Sequence, residues 1–418
     1  MTSMQANQTA IVVGAGMVGL SCAYALHMRG IKVTVVDRDI EGDKTSYGNA
    51  GALAISECVP HSLPGQIWSI PKWLLDPMGP LSLRPAHIPS FMPWMLAYLG
   101  HSRKRQVAHI ADALHAINER VSADYDPMLQ AIGYADKVHD KGCIRVYDSY
   151  KSFKKNALEW RIRKQHGQDY ELLGEDDLRR MAPAIGKAKQ FGVFQPQWRI
   201  MDDPKGLVGC LRDWLLAQGV AMVNTNVDAL ECEHNRVIGV TTSQSVINAD
   251  MTIVAAGAWS KTLAKQVGER CLLESERGYN TTLPNPNISL KHELLFAEEM
   301  FVASPLAIGL RVGGASEFAG LKAAPNYSRS DNLLRLAKRY LPDLNAEGGT
   351  QWMGHRPSTP DSLPVLGPSV KWHGLCYAFG HSHLGMTQAA SSGQMLAEAL
   401  MQPELNTDLS AYSIGRFN

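Results

Sequence analysis

Three glycines near the start of the chain have the spacing of a turn that binds a dinucleotide. They are Gly14, Gly16 and Gly19, and Asp37 follows 18 residues after the last of them. The first glycine permits a tight turn, the second lets backbone N–H groups approach a pyrophosphate, and the third lets a helix pack closely. An aspartate in this position can accept hydrogen bonds from ribose hydroxyls and disfavours a ribose phosphate, which leaves NAD or FAD. The alternative is an ordinary glycine turn, and the neighbouring Arg38 is interpreted as a solvated charge at the edge of the site.

A short polar loop favours FAD over NAD. Residues 45–51, TSYGNAG, are small and polar and lie where an elongated dinucleotide would continue past its pyrophosphate. Residues 254–259, VAAGAW, run from an apolar strand into small residues, as required where the backbone passes close to a cofactor. A surface turn remains the alternative interpretation of the loop.

The elements that position these residues follow α/β patterns at both ends of the chain. The pattern predicts strands at 10–13, 31–36, 220–224, 236–242, 251–255 and 375–379, and helices at 17–29, from Asp203-Pro204 to Gly219, and at 386–401. Between them, alternation at 293–302 and 306–312 predicts antiparallel strands, and a helix is expected near 331–340. Apolar residues at spacings of three and four from Val107 to Val121 predict one stripe of a long helix.

Composition limits the classes of function. The chain has 418 residues, enough for two or three domains or one large interleaved one, and 41 Lys plus Arg against 40 Asp plus Glu give a formal charge of +1. No global field therefore attracts nucleic acid. The seven cysteines show no C-x-x-C spacing, which argues against a disulfide framework or a structural zinc site, so no metal is expected. The first ten residues resemble no secretory signal and no apolar run reaches membrane-spanning length, so a cytoplasmic location is expected.

Several motifs along nearly the whole length resemble the FAD-dependent D-amino-acid oxidase and dehydrogenase superfamily, and most of all the bacterial D-amino-acid dehydrogenases. Besides the glycine turn, these motifs are residues 46–51, 276–279 (ERGY), 310–314 (LRVGG), 354–361 (GHRPSTPD) and 380–385 (GHSHLG). The resemblance implies an α/β fold, with a Rossmann-type, glutathione-reductase-like FAD domain interleaved with an α+β antiparallel-sheet substrate domain. We expect residues 1–58, 190–262 and 350–418 in the first domain, and 59–189 and 263–349 in the second, with a helical, apolar insertion.

The resemblance also suggests catalytic residues. Arg356 of the G-x-R-P motif is the first choice for the substrate carboxylate, because a planar guanidinium grips a carboxylate through two parallel hydrogen bonds. Arg311 is a second basic candidate. The hydroxyl of Tyr279 could contact substrate, although buried tyrosines usually bond a backbone group instead. His381 and His383 could serve in acid–base chemistry, with packing or flavin contact as the preferred alternative.

The cofactor is expected to be FAD, held non-covalently, because no Cys or His stands at a position that matches covalent attachment. The turn at 380–385 opens a helix whose N–H groups suit the negative charge of a reduced flavin. The family usually has glycine where Ser382 stands and tryptophan where Met386 stands. The expected cofactor-binding residues are Gly14, Gly16, Met17, Val18, Gly19, Asp37, Arg38, Ser46, Asn49, Ala50, Gly51, Val227, Ala256, Gly257, Gly380, Gly385, Met386 and Thr387.

The resulting hypothesis is oxidation of an amino acid at its α carbon, with hydride transfer to flavin N5 and hydrolysis of the imine to a 2-oxo acid and ammonia. The substrate is expected to be a D-amino acid or a D-imino acid such as hydroxyproline, which would give a cyclic imine. The alternatives are an oxidase of sarcosine or glycine type that uses oxygen, and a non-catalytic flavoprotein subunit of a complex.

Residues 59–100 raise the question of the electron acceptor. The segment is rich in tryptophan and proline, nearly uncharged, and followed by Arg103, Lys104 and Arg105. That combination suits a surface resting on lipid headgroups, as delivery of electrons to a respiratory quinone at the inner face of the membrane would require. A loop packed over the substrate domain, or an oligomer interface, is the alternative, and oxygen is the alternative acceptor.

Overall fold

A mostly parallel sheet organises the two ends of the chain. The computed structural model describes residues 8–64, 76 and 79–418. The strand order is β10 (Ala221–Asn224), β2 (Lys32–Asp37), β1 (Thr9–Val13), β14 (Met251–Val254), β21 (Leu375–Phe379) and β20 (Val365–Pro368). Only the pairing of β20 with β21 is antiparallel among the neighbours in this order. The apolar runs of these strands are buried, as expected when helices cover a parallel sheet.

Two helices that begin at this sheet pack against each other. They are α1 (Met17–His27) and α11 (Gly385–Met401). A side chain at Gly393 would place its Cβ 2.5 Å from the carbonyl oxygen of Ser21, so glycine permits the close approach of the two backbones. The predicted strands and helices of this part of the fold are confirmed, with bounds that differ by one to two residues.

A larger, mainly antiparallel sheet forms the second layer. Its order is β19 (Thr350–Ser358), β15 (Glu274–Leu283), β18 (Gly309–Phe318), β17 (Phe301–Leu306), β16 (Glu293–Phe296), β6 (Cys143–Tyr147), β8 (Phe191–Gln195) and β7 (Glu171–Leu173), with β4 (Leu81–Leu83) beside β18. The β16–β6 and β18–β4 pairs are parallel. This arrangement confirms the expected mixed α/β fold, with a mainly antiparallel sheet besides the parallel one.

The other strands in the described part of the chain form two small antiparallel sheets. One contains β11 (Val227–Glu233), β12 (Arg236–Thr242) and β13 (Val246–Asn248), and the other contains β3 (Ala52–Leu53), β9 (Arg199–Met201) and β5 (Val138–His139). His234 and Asn235 both have positive φ, the conformation of a two-residue turn that matches the twist of a hairpin.

The remaining helices include the amphipathic one that the sequence predicts. They are α2 (Ile88–His101), α3 (Lys104–Asn118), α4 (Val121–Ala131), α5 (Tyr150–Lys155), α6 (Ala157–Gln165), α7 (Glu175–Met181), α8 (Pro204–Ala217), α9 (Ser260–Gln266) and α10 (Ser328–Tyr340). The apolar stripe from Val107 to Val121 is buried, but the single long helix is wrong, because α3 ends at Asn118 and α4 begins at Val121. Among the helices in the described part of the chain, none combines the length and apolar character needed to cross a bilayer.

Sheet membership divides the chain somewhat differently from the expected domain boundaries. β8 and β19 fall inside the expected FAD ranges, yet both belong to the mixed sheet. Helices α3 and α4 fall inside the expected substrate range, yet their buried residues join the core beneath the parallel sheet. We propose that residues 104–131 belong with the FAD domain and that Phe191–Gln195 and Thr350–Ser358 belong with the substrate domain.

Candidate active site

The glycine turn after β1 is shaped by backbone contacts that exclude side chains. Gly14 has φ +117°, and a Cβ there would lie 2.5 Å from the carbonyl oxygen of Ala255. A Cβ on Gly19 would lie 1.9 Å from the carbonyl oxygen of Gly14, so the first turn of α1 packs directly on the loop. The turn thereby brings the amino-terminal end of α1 to the cavity, with its unpaired N–H groups and positive dipole end.

Asp37 ends β2 beside this turn. Its carboxylate accepts the N–H of Ala15 at 2.7 Å and forms an ion pair with Lys44 at 3.3 Å. Arg38 is exposed, as expected, and its guanidinium lies 4.0 Å from the ring centroid of Trp259 in a cation–π contact. Lys44 and Trp259 are additional residues at this end of the cavity that the sequence analysis did not assign to the site.

The loop at 45–51 connects the glycine turn to the mixed sheet. Ser46 Oγ accepts the N–H of Met17 at 3.1 Å, and Asn49 Oδ1 accepts the N–H of Gly51 at 2.8 Å. Arg311 donates from Nη1 to the carbonyl oxygens of Tyr47 at 3.0 Å and Asn49 at 2.5 Å. The guanidinium of Arg311 therefore clamps the loop against β18. Nε donates to Thr282 Oγ1 at 3.0 Å, and Arg311 also lines the cavity, so its suggested role as a ligand of the substrate carboxylate stays a prediction.

One elongated cavity runs from the glycine turn, between the two sheets, to the start of α11. Its volume is about 1520 Å³, larger than the ~300–1,000 Å³ usual for sites of single small ligands. The expected cofactor residues that line it are Gly14, Gly16, Met17, Val18, Asp37, Arg38, Ser46, Asn49, Ala50, Val227, Ala256, Gly257, Gly385, Met386 and Thr387. Gly19, Gly51 and Gly380 are not among the lining residues. The cavity has room for an extended dinucleotide and a small substrate together.

The turn before α11 carries two histidines in different environments. Gly380 and Ser382 both have positive φ, +85° and +50°, which explains why glycine suits the position of Ser382. The His381 ring is buried and bonds to Ser392 Oγ at 2.8 Å, and burial lowers its pKa to about 3. A neutral ring fixed to a helix is a poor acid or base at neutral pH, so the structure supports packing rather than a catalytic role for His381. Both histidines line the cavity, but His383 is exposed there.

Arg356 lies on β19, directly opposite Glu276 on β15. Its Nη1 donates to Glu276 Oε1 at 3.1 Å, and its Nη2 donates to the carbonyl oxygen of Gly314 at 3.2 Å. A Cβ on Gly278 would lie 2.5 Å from Nη2, so this glycine makes room for the guanidinium across the strand. Burial alone would raise the pKa of Glu276, but Arg356 and hydroxyl donors lower it to about 2. Arg356 and Glu276 therefore form a charged pair on the cavity wall.

Tyr279 lies on the face of β15 opposite to Glu276 and Gly278. Its side chain is 1% exposed, and its hydroxyl donates to Glu317 Oε2 at 2.5 Å and accepts the N–H of Asn326 at 3.0 Å. Arg277 also bonds Glu317, at 3.3 Å. These bonds support the alternative that the hydroxyl satisfies groups within the protein, although Tyr279 is also among the residues that line the cavity, and its contact with substrate stays a prediction.

Other residues on the cavity wall were missed by the sequence analysis. Glu276 and Gly278 belong to the ERGY motif at 276–279. Residues two apart on a strand lie on the same face, so this spacing was a signal for both. His61, Trp94 and Tyr98 come from the segment interpreted as a surface. Trp94 donates to the carbonyl of Ser358 at 3.0 Å, so α2 packs beside the Arg356 strand. No local pattern in the sequence predicts that contact.

The fold and cavity define a two-layer flavoprotein type of oxidoreductase, and comparison with known proteins identifies the family. The family model described as DAO, FAD dependent oxidoreductase, matches residues 9–399, and the chain belongs to this family. A D-amino-acid oxidase of Bradyrhizobium diazoefficiens is 33% identical over 415 residues, covering 97% of this chain and 98% of that protein. A D-amino acid dehydrogenase of Sinorhizobium medicae is 29% identical, covering 97% and 99%.

Solved structures share the fold. A glycine oxidase from Geobacillus kaustophilus is 19% identical with a TM-score of 0.73, covering 98% of this chain and 99% of that one. An L-proline dehydrogenase from P. horikoshii is 16% identical with a TM-score of 0.73, covering 99% and 98%. Because the chain belongs to the family matched above, the enzyme is an FAD-dependent oxidoreductase. The glycine turn, which has no room for a Cβ at Gly14, and the elongated cavity beside Asp37 fit that cofactor.

Proposed function

We propose that this enzyme oxidises a free amino acid at its α carbon, with a D-amino acid or a D-imino acid as substrate. The observation that carries the proposal is the Arg356 guanidinium on the cavity wall, 26% exposed and held by Glu276 and Gly314. A guanidinium has five N–H donors, so these contacts leave donors for a substrate carboxylate. The names of the relatives at 29–33% identity support the choice of D-amino acids.

The chemistry divides between cofactor and chain. FAD, when bound, accepts the hydride from the α carbon at N5. Arg356 fixes the carboxylate, and the preorganised pair with Glu276 keeps the guanidinium in one orientation. As the Cα–H bond breaks, the lone pair of the neutral amine forms the C=N bond of an iminium, which water hydrolyses to a 2-oxo acid and ammonium. A cyclic imino acid gives a ring imine by the same loss.

Anaerobic bleaching of the bound yellow chromophore tests this function. The holoenzyme is mixed with a panel of D- and L-amino acids, D-hydroxyproline, sarcosine and glycine. Fast bleaching by one or more D-amino or D-imino acids is expected. Bleaching confined to sarcosine and glycine would replace the proposal with an oxidase of that type, and no bleaching by any of them would contradict it.

FAD is held without a covalent bond. Cys58 is buried, and burial raises the pKa of its thiol to about 12, so it is a poor nucleophile. His61 is hydrogen-bonded to His383. Acid precipitation should therefore release the yellow colour into the supernatant, whereas colour that stays in the pellet would contradict the prediction.

A membrane quinone is the proposed electron acceptor, reached through peripheral contact with lipid. Trp68, Trp73 and the rest of 65–75, with 77–78, lie outside the described residues. In α2, an exposed apolar stripe is followed by the exposed basic residues at 103–105. The members of the stripe are Ile88, Met92, Leu96 and Leu99. Their spacing of three and four places them on one face of the helix, as contact with an anionic headgroup layer requires.

Flotation with vesicles of anionic lipid tests this contact. The native enzyme should float with the vesicles, and a variant with Glu at 103, 104 and 105 should not. Absence of binding by both would favour oxygen or another dissolved acceptor. A dimer that covers the stripe, seen by sedimentation, would favour the oligomer interface.

A further inference from the structure

The cavity contains a pair of histidines, His61 and His383, that have no role in the reaction proposed above. His61 Nε2 and His383 Nδ1 lie 2.6 Å apart, and the two rings meet edge to face with centroids 4.3 Å apart. Both residues line the cavity, together with Arg356 and Glu276. Within the described residues, the outer ring nitrogens of the pair have no hydrogen-bond partner.

The pair is held rigidly beside the Arg356 strand. The N–H of Ser382 donates to the carbonyl of Pro357 at 3.0 Å, and His381 and Ser358 form an isolated β-bridge. The turn that carries His383 is therefore bonded to the residues that follow Arg356.

Both backbone groups of His61, its N–H and its carbonyl, are hydrogen-bonded to side chains. Its N–H donates to Ser362 Oγ at 3.1 Å, and its carbonyl accepts the hydroxyl of Tyr98 at 2.7 Å. Both histidines are thus anchored by backbone contacts, which leaves their rings to present polar atoms to the cavity.

The hydrogen bond within the pair determines what it offers a ligand. In a neutral pair, one ring donates its shared N–H and the other accepts it. Whichever ring donates, one outer nitrogen is then an N–H donor and the other is a bare acceptor. Burial and the neighbouring His61 ring hold the pKa of His383 below its usual range, which favours the neutral ring. The bare ring nitrogen can accept a hydrogen bond from the N–H of an amino group.

We propose that the His61–His383 pair binds the amino group of the substrate and so determines its handedness. The inference rests on the proposed function. Arg356 holds the carboxylate and the bare ring nitrogen accepts a hydrogen bond from the amino group, so two of the four substituents on the α carbon are fixed. Only one enantiomer then directs its Cα–H towards the cofactor face of the cavity.

The proposal is tested by comparing the binding of two ligands that the enzyme cannot oxidise at the α carbon, one with an amino group and one without. 2-Amino-2-methylpropanoate carries both groups and no Cα–H, and 2-methylpropanoate lacks the amine. Their dissociation constants are measured from the change in flavin absorbance of the holoenzyme. His61→Leu and His383→Leu should each weaken the amino ligand about 10- to 100-fold, the loss of one charge-assisted hydrogen bond. Binding of the amine-free ligand should change less than about threefold, and His109→Leu, at an exposed position on α3, should change neither.

The outcomes distinguish this inference from the proposed function. Equal weakening of both ligands would mean that the pair only shapes the cavity, and unchanged binding of both would show that it contacts neither group. Either result overturns the inference while bleaching by amino acids still stands. If the leucine variants do not hold FAD, a crystal structure of the native holoenzyme with 2-amino-2-methylpropanoate decides. The ligand nitrogen should lie within about 3.2 Å of a ring nitrogen of the pair; a nitrogen bonded instead to Glu276 or to a backbone carbonyl contradicts it.

Discussion

The glycine turn of the parallel sheet and the Arg356 strand of the mixed sheet prepare the two ends of one cavity by different means. At the turn, backbone shape is decisive, because Gly14 sits where its Cβ would meet the carbonyl of Ala255 at 2.5 Å. At the strand, charged side chains are decisive, and Arg356 meets Glu276 from 80 residues away along the chain. A site made of backbone is encoded in consecutive residues, whereas a site made of side chains depends on strand register.

Substitution at the turn should give the largest effect. Gly14→Val adds a branched side chain at φ +117° and at a contact of 2.5 Å, so FAD binding should be lost. The ratio of flavin to protein absorbance after purification measures this. Gly209→Ala in α8 is the matched control, because no atom lies within 4 Å of its added Cβ, and it should retain full colour. A yellow Gly14→Val protein would contradict the account of the turn.

Removing the carboxylate of Glu276 should destabilise the fold in a pH-dependent way. Its folded pKa of about 2 lies below the ordinary 4.5, so its stabilisation is present above pH 4.5 and is lost as the pH falls towards 2. Glu276→Gln should lower the free energy of unfolding by about 3 kcal/mol at pH 7, and the difference should shrink at pH 3. Urea unfolding measures it, with the exposed Glu347→Gln as control. If the difference in the free energy of unfolding between the native and variant proteins does not change with pH, the ion pair is not its cause.

Tyr279→Phe tests the other face of the same strand. Loss of the hydroxyl leaves the N–H of Asn326 without its acceptor, so stability should fall by about 1 to 3 kcal/mol. The KM of the best substrate should change less than about twofold, because the ring faces the core. Tyr150→Phe, at an exposed position, should alter neither quantity. A large rise in KM with unchanged stability would show instead that the hydroxyl of Tyr279 contacts substrate.

The contrast between the regions explains how much the sequence could predict. The strands and helices around the glycine turn are predictable to within one or two residues, because each signal is local: a glycine, an acidic cap at Asp203, an apolar run. Arg356 is recognisable from the short G-x-R-P motif that contains it. The hydrogen bonds of Arg311 to the loop at 45–51 and of Tyr279 to Glu317 are not predictable in this way, because they depend on contacts between distant segments.

The rest of the site depends on long-range contacts. The Arg356–Glu276 pair follows from the register of β19 on β15, and the His61–His383 pair joins residues separated by 322 positions. The sequence does not predict β19 and β15 as strands, because charged and glycine residues interrupt their apolar alternation. Hydrogen bonding to neighbouring strands outweighs those local preferences.

Binding of the carboxylate by Arg356 is the central claim, and one titration tests it most directly. Arg356→Lys keeps the charge and loses the planar fork, so the affinity for 2-methylpropanoate should fall about 10- to 100-fold, equivalent to about 1.5–3 kcal/mol. FAD content should stay at the native level, and Arg161→Lys, an exposed position on α6, should bind the ligand as the native enzyme does. A native dissociation constant in Arg356→Lys would show that the carboxylate binds elsewhere and would contradict the account.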